Sequence, residues 1–75
     1  MMAIHETQFE DDLQHIAQVR NTTQITRRVF ENEVASHVNA LESNPLRAEL
    51  AMLIDALMTF EEAVKREINN RVAAA

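Results

Sequence analysis

Leu41-Glu42-Ser43-Asn44-Pro45-Leu46 is the stretch on which the fold turns. It holds the single proline of a chain that has no glycine, and it separates two long segments whose apolar residues recur at helical spacing. Asn44 carries the side chain of a helix N-cap. Proline suits the first helical position, because its missing N–H would have had no intrahelical partner there. A second helix is therefore expected to start at Pro45. Hairpin turns and βα loops usually want glycine for positive φ, so a chain without it reads as all-α. The predicted fold is an antiparallel helical hairpin, one domain over residues 1–75. It has a helix over about 6–42, a turn at 42–45 and a helix over about 45–72.

The stronger periodicity follows the proline. Leu46, Leu50, Leu53, Leu57, Phe60, Val64 and Ile68 step by threes and fours, an approximate heptad seam. Glu61 with Lys65, Glu62 with Arg66 and Glu67 with Arg71 stand at i, i+4 in the favourable order, each adding about 0.2–0.5 kcal/mol of helix support. The last three alanines are expected to fray. In the first segment Phe9, Leu13, Ile16 and Val19, then Phe30, Val34, Val38 and Leu41, share one face. Between them lies Asn21-Thr22-Thr23-Gln24-Ile25-Thr26, with Thr23 and Thr26 where hydrophobes stand elsewhere. The expectation is a continuous helix with a polar waist. The alternative is a break near Asn21-Thr23, since Asn21 or Thr22 could cap a new helix and threonine is a weaker helix former.

Size bears on function. A domain of 75 residues buries only about 60% of its unfolded surface and usually leans on disulfides, a metal or a partner. There are no cysteines, and His5, His15 and His37 are too far apart for an i, i+4 metal pair. That leaves association with protein. A net charge of −5 argues against a chain whose task is to neutralise phosphates. No stretch approaches the roughly 20 apolar residues of a membrane span. The first residues have neither the basic nor the apolar region of a signal peptide, so a cytoplasmic location is expected. With Phe9, Phe30 and Phe60 as the only aromatics, no base-stacking platform is suggested.

The apolar surface exceeds what two helices need. If the leucine seam faces the first helix, Ile54 and Met58 fall beside it, and Ile25 and Val29 lie off the stripe through Phe30, Val34 and Val38. Ile25, Val29, Ile54 and Met58 are thus the candidate partner-binding residues. The flexible Met52 and Met58 suit adaptable contacts. The plain alternative is scatter, since single exposed hydrophobes are common.

Catalysis requires a nucleophile, a base and an orienting group converging in a pocket, which a hairpin does not enclose. No enzyme, cofactor or metal is therefore expected. Glu10, Asp11 and Asp12 complement the positive end of the first helix dipole. Glu33 and His37, one turn apart, are two ligands and not a site. Arg20, Arg27 and Arg28 are the only basic concentration, and Glu31 provides Arg27 with a counter-charge at i+4.

The long first helix, the short polar turn Leu41–Pro45 and the second helix carrying Leu46 through Ile68, in an acidic chain of this length, resemble the small E-type co-chaperones of bacterial type III secretion needle subunits. The resemblance covers most of the chain and rests on length, acidity and helical pattern, without a specific motif. It implies a hairpin that pairs with a tetratricopeptide-like chaperone and stabilises it. It further implies that the pair keeps a needle subunit unpolymerised in the cytoplasm until export. Two other classes compete. One is a homodimeric four-helix bundle with a regulatory role, or one that binds RNA through Arg20, Arg27 and Arg28. For RNA binding, Arg27→Glu should abolish retention and leave the fold intact. The other is a small phage or plasmid accessory inhibitor.

Overall fold

The computed structural model describes residues 2–42 and 45–74, with side chains from Phe9 onward. The chain is an all-α helical hairpin. Its first arm is α1 (Met2–Val29), a π-helical turn (Phe30–Val34) and α2 (Ala35–Asn39), and its second arm is α3 (Leu46–Ala74). The molecule is a rod of 63 × 16 × 12 Å with a radius of gyration of 17.4 Å, against roughly 11 Å for a compact domain of this length.

The first arm stops three residues short of the expected end. Ala40 donates its N–H to the His37 carbonyl and Leu41 to that of Val38, both at 3.2 Å. These tight i→i−3 bonds satisfy terminal carbonyls without a left-handed residue, and no described residue has positive φ. A helix can therefore end cleanly in a chain that has no glycine. Pro45 directly precedes α3, which begins at Leu46. The expected N-cap, Asn44, lies outside the described residues. At the far end Ala73 and Ala74 are helical, and the expected fraying of Ala75 lies outside the described residues.

The break considered near Asn21-Thr23 does not occur: α1 is α-helical through all of it. Thr23 is buried, and its hydroxyl donates back to the Val19 carbonyl at 2.7 Å, the internal bond by which threonine is tolerated inside a helix. The irregularity comes later, at Phe30–Val34, and its cause can be read in the spacing. The inner stripe of the first arm runs Phe9, Leu13, Ile16, Arg20, Thr23, Arg27, Phe30, Val34 and Val38, with Ala17, Gln24, Thr26 and Ala35 half-buried beside it. Up to Phe30 the steps alternate four and three. From there they are four and four, which is one residue more than a heptad allows. A π turn absorbs one extra residue, so Phe30, Val34 and Val38 remain on the inner face. The flanking dihedrals stay helical, φ −61° and ψ −45° at Val29 and φ −61° and ψ −38° at Ala35.

On α3 the inner face is Leu50, Ile54, Leu57, Glu61, Val64, Ile68 and Arg71, an unbroken alternation of four and three. This corrects the expected seam. Leu46, Leu53 and Phe60 were placed inside and lie exposed, whereas Ile54 and Glu61 replace them. Val19 and Leu41 of the expected first-arm stripe are likewise exposed. The reason is electrostatic. Arg20, Thr23 and Arg27 put polar groups on the first arm's inner face, and α3 turns to meet Arg27 with Glu61, the residue 100° round from Phe60.

Candidate interaction surface

The middle of the hairpin is held by charge. Arg27 Nε donates to Glu61 Oε2 at 2.8 Å and Arg27 Nη1 to Glu31 Oε1 at 2.7 Å. Lys65 Nζ stands 3.4 Å from Glu61 Oε1. Glu61 is only 5% exposed. The hydrogen bond from Arg27 holds its carboxyl below the ordinary value of 4.5. Burial pulls upward against it, while a bond from Gln24, the charge of Arg27 and a bond from Lys65 add to the lowering. The same bonds, to Glu61 first and Glu31 second, raise Arg27 above its ordinary value. A buried ion pair contributes more to register than to net stability, because desolvation offsets much of the attraction. Here it fixes which faces of the two arms meet.

That register divides the flanks of the hairpin into two unlike faces. Gln24 and Lys65 both reach Glu61 from one side, where Arg20, Asn21, Ile68 and Asn69 complete an open polar groove. On the opposite side Arg71 ties the arms together, with Nη1 donating to Asp12 Oδ2 and Nε lying by Glu67 Oε1, each at 3.2 Å. Asp12 and Glu67 each begin a line along their helix. Steps of seven carry Asp12 to Val19 and Thr26, and carry Glu67 back to Phe60, Leu53 and Leu46. Residues seven apart share a flank of a coiled pair, so both lines lie on the Arg71 side.

This second face is apolar. Leu46, Glu49, Leu53, Ala56 and Phe60 run along α3 at steps of three and four, with Leu46 51%, Leu53 42% and Phe60 50% exposed. On α1 Val29 stands by Phe60, and Thr26, Thr22 and Val19 continue that flank toward Glu67. With Arg27 opposite Glu61, antiparallel counting brings Val29 within a turn of Phe60. Among the described hydrophobic side chains only Val38 and Val64 are buried. The accessible surface, 5872 Å², stands well above the roughly 4,700 Å² of a compact 8.6-kDa monomer.

The four candidate residues do not form one surface. Val29 lies on the apolar face and is exposed. Ile54 is half-buried in the seam. Met58 is exposed on the flank that carries Lys65, and Ile25, also exposed, is on the outer side of α1. The residues missed were Leu46, Leu53 and Phe60, because an apolar period of three and four looks the same whether it faces the partner arm or flanks it. A signal was present in Arg27: a seam through Leu53 and Phe60 leaves that guanidinium opposite hydrocarbon. Arg27 itself is engaged inside the hairpin. Arg27→Glu would set a third carboxylate beside Glu31 and Glu61, which corrects the expectation that this change leaves the fold intact.

Among the described residues no three His, Asp or Glu side chains gather as a metal site, and no helix is long and apolar enough to cross a membrane. The fold and this surface define a helical hairpin with an exposed apolar face among the described residues. No family model matches the chain, and no curated protein or solved structure matches it.

Proposed function

We propose that this chain is a protein-binding helical hairpin that completes its core on helices supplied by another molecule. The observation that carries the reading is the continuous exposed stripe Leu46, Leu53 and Phe60 beside Val29. The surface in excess of a compact chain, roughly 1,200 Å², exceeds the ~800 Å² that one partner gives to a standard interface. A rod with almost no buried hydrocarbon gains its main stabilisation when that stripe is covered.

The co-chaperone role implied by the resemblance is a specific form of this function. A tetratricopeptide-like chaperone offers helical grooves, and a hairpin seated in one would stabilise it while a needle subunit is held unpolymerised. Co-expression with such a chaperone encoded in the same genome tests that form. A stable complex that is lost with Phe60→Asp, while the free hairpin stays helical by circular dichroism, supports it. A complex indifferent to Phe60→Asp and Leu53→Asp refutes the use of this face.

A further inference from the structure

We infer that the occupant of the apolar face is a second copy of this chain, laid antiparallel so that the turn ends of the two rods overlap. The inference rests on the protein-binding reading above and names the occupant; a chaperone groove would compete for the same face. It follows from the shape of that face. The exposed Leu46, Leu53 and Phe60 form one line along α3. Three residues on from each stand Glu49, Ala56 and the half-buried Ala63, and the exposed Met52 and Thr59 edge the face on its outer side. Large side chains thus alternate with small ones at steps of three and four. The roughly 1,200 Å² by which the chain exceeds a compact monomer covers the ~800 Å² that each member of a standard dimer gives.

A symmetric dimer places the same patch against itself. With the rods antiparallel and the twofold axis between Leu53 and Ala56, Leu53 sits against Ala56 of the second copy, Leu46 against Ala63 and Met52 against Thr59. Phe60 meets the methylenes of Glu49. With the rods parallel, the large residues would stack on their own copies and the alanines would face each other across a void, which close packing disfavours. Charge selects the same arrangement. Neither Glu49 nor Arg66 has an ion-pair partner among the described residues. Helix side chains lean toward the N-terminus, so across the axis Glu49 and Arg66 of the other copy lean toward one another, and this pair forms twice. Arg47, one position after Leu46, is turned about 100° toward the side of Ile54 and Glu61 and stays out of the contact. At the other end of the face Asp12 and Glu67 are matched by Arg71. The net charge of −5 opposes approach at long range, while the charges on the face itself are matched. The overlap spans Leu46 to Ala63, so two rods of 63 Å make a particle roughly 90 Å long at 1.5 Å per residue.

The test follows the mass of the full chain by sedimentation velocity and light scattering from 10 µM to 1 mM, with Phe60→Asp, Glu49→Arg and Arg66→Glu variants whose helicity is checked by circular dichroism. The expected result is a two-chain particle for the wild type and a single chain for Phe60→Asp. Glu49→Arg and Arg66→Glu should each self-associate at least tenfold more weakly than the wild type, because like charges then meet twice. An equal mixture of the two should recover the wild-type affinity, because opposite charges then meet twice, and a folding defect gives no such recovery. A dimer lost with Phe60→Asp but moved by neither charge variant overturns the antiparallel register. A dimer that survives Phe60→Asp overturns the use of this face by a second copy. A single chain at every concentration also overturns the inference. The protein-binding reading then stands if the chaperone complex described above forms and is lost with Phe60→Asp, and falls with the inference if it does not.

Discussion

Phe60 is the largest side chain of α3 and the one for which the leucine seam and the observed packing disagree most. Were it inside, Phe60→Ala would behave as a core truncation and cost about 3–5 kcal/mol. The structure leaves Phe60 50% exposed. Full burial of a phenylalanine contributes about 1.5–3 kcal/mol, so half of it contributes roughly 1–1.5. Alanine then regains about 0.5 kcal/mol of helix propensity. The net loss expected for Phe60→Ala is about 0.5–1 kcal/mol, a fall in Tm of no more than about 8 °C for a domain of this size. Val64, only 5% exposed, is the internal comparison. Its truncation to alanine removes two buried carbon groups at about 0.8 kcal/mol each, plus a cavity contribution, less the same propensity gain. The smaller side chain should therefore cost at least as much as the larger. Urea and thermal unfolding followed by circular dichroism, at a concentration where the wild type is monomeric, decides the matter. A loss of 3 kcal/mol or more for Phe60→Ala, exceeding that for Val64→Ala, would refute the seam described here.

Glu61 gives a pH signature. Its folded value lies below the ordinary 4.5, so the unfolded chain takes up that proton first. The stabilisation it provides is complete above the ordinary carboxylate range and is lost as pH falls through that range toward the folded value. Melting temperature should hold from pH 7 to about 5 and then drop, and Glu61→Gln should remove part of the drop. An unchanged pH profile in that variant would sink the assignment. Arg27→Glu should lower the melting temperature well beyond the effect of Arg28→Glu at the exposed neighbouring position, and equal effects would show that the cross-arm pair does not hold the seam. Thr23→Val, which exchanges a buried hydroxyl bonded only to its own helix for a methyl group, should be neutral or stabilising by up to about 1 kcal/mol in urea unfolding. Deleting the exposed Asn32 turns the four-and-four spacing into the regular heptad step, so helicity and melting temperature should be retained. A collapse of helicity would contradict the reading of the π turn as an inserted residue.

The hairpin was legible because local chemistry specifies it: two helical periods, a proline at their junction and no glycine for the tight turns of a sheet. The i, i+4 pairs Arg27–Glu31, Glu61–Lys65 and Glu67–Arg71 were legible for the same reason. What the spacing left open was the rotation of α3 about its own axis. Both Phe60 and Glu61 continue a pattern of threes and fours, and hydrophobicity alone favours the phenylalanine. The choice was made by a partner 34 residues away, Arg27, whose charge belongs in the seam only if a carboxylate faces it. The same rotation moved Ile54 from the candidate surface into the seam and brought Leu53 and Phe60 out. The shift of the irregularity from Asn21-Thr23 to Phe30–Val34 has a similar cause. A threonine-rich stretch is a weak helix in isolation, yet its hydroxyl can bond within the helix, whereas an extra residue in the apolar period must be absorbed by the backbone.

Small-angle scattering over a concentration series tests the central claim most directly, that the hairpin is a rod whose apolar face a second copy covers. The account predicts one 8.6-kDa chain at the dilute end, with a radius of gyration near 17.4 Å and a longest dimension near 63 Å, and a two-chain particle roughly 90 Å long as concentration rises. A single chain at every concentration, or one with a radius near the roughly 11 Å of a compact domain, would contradict it.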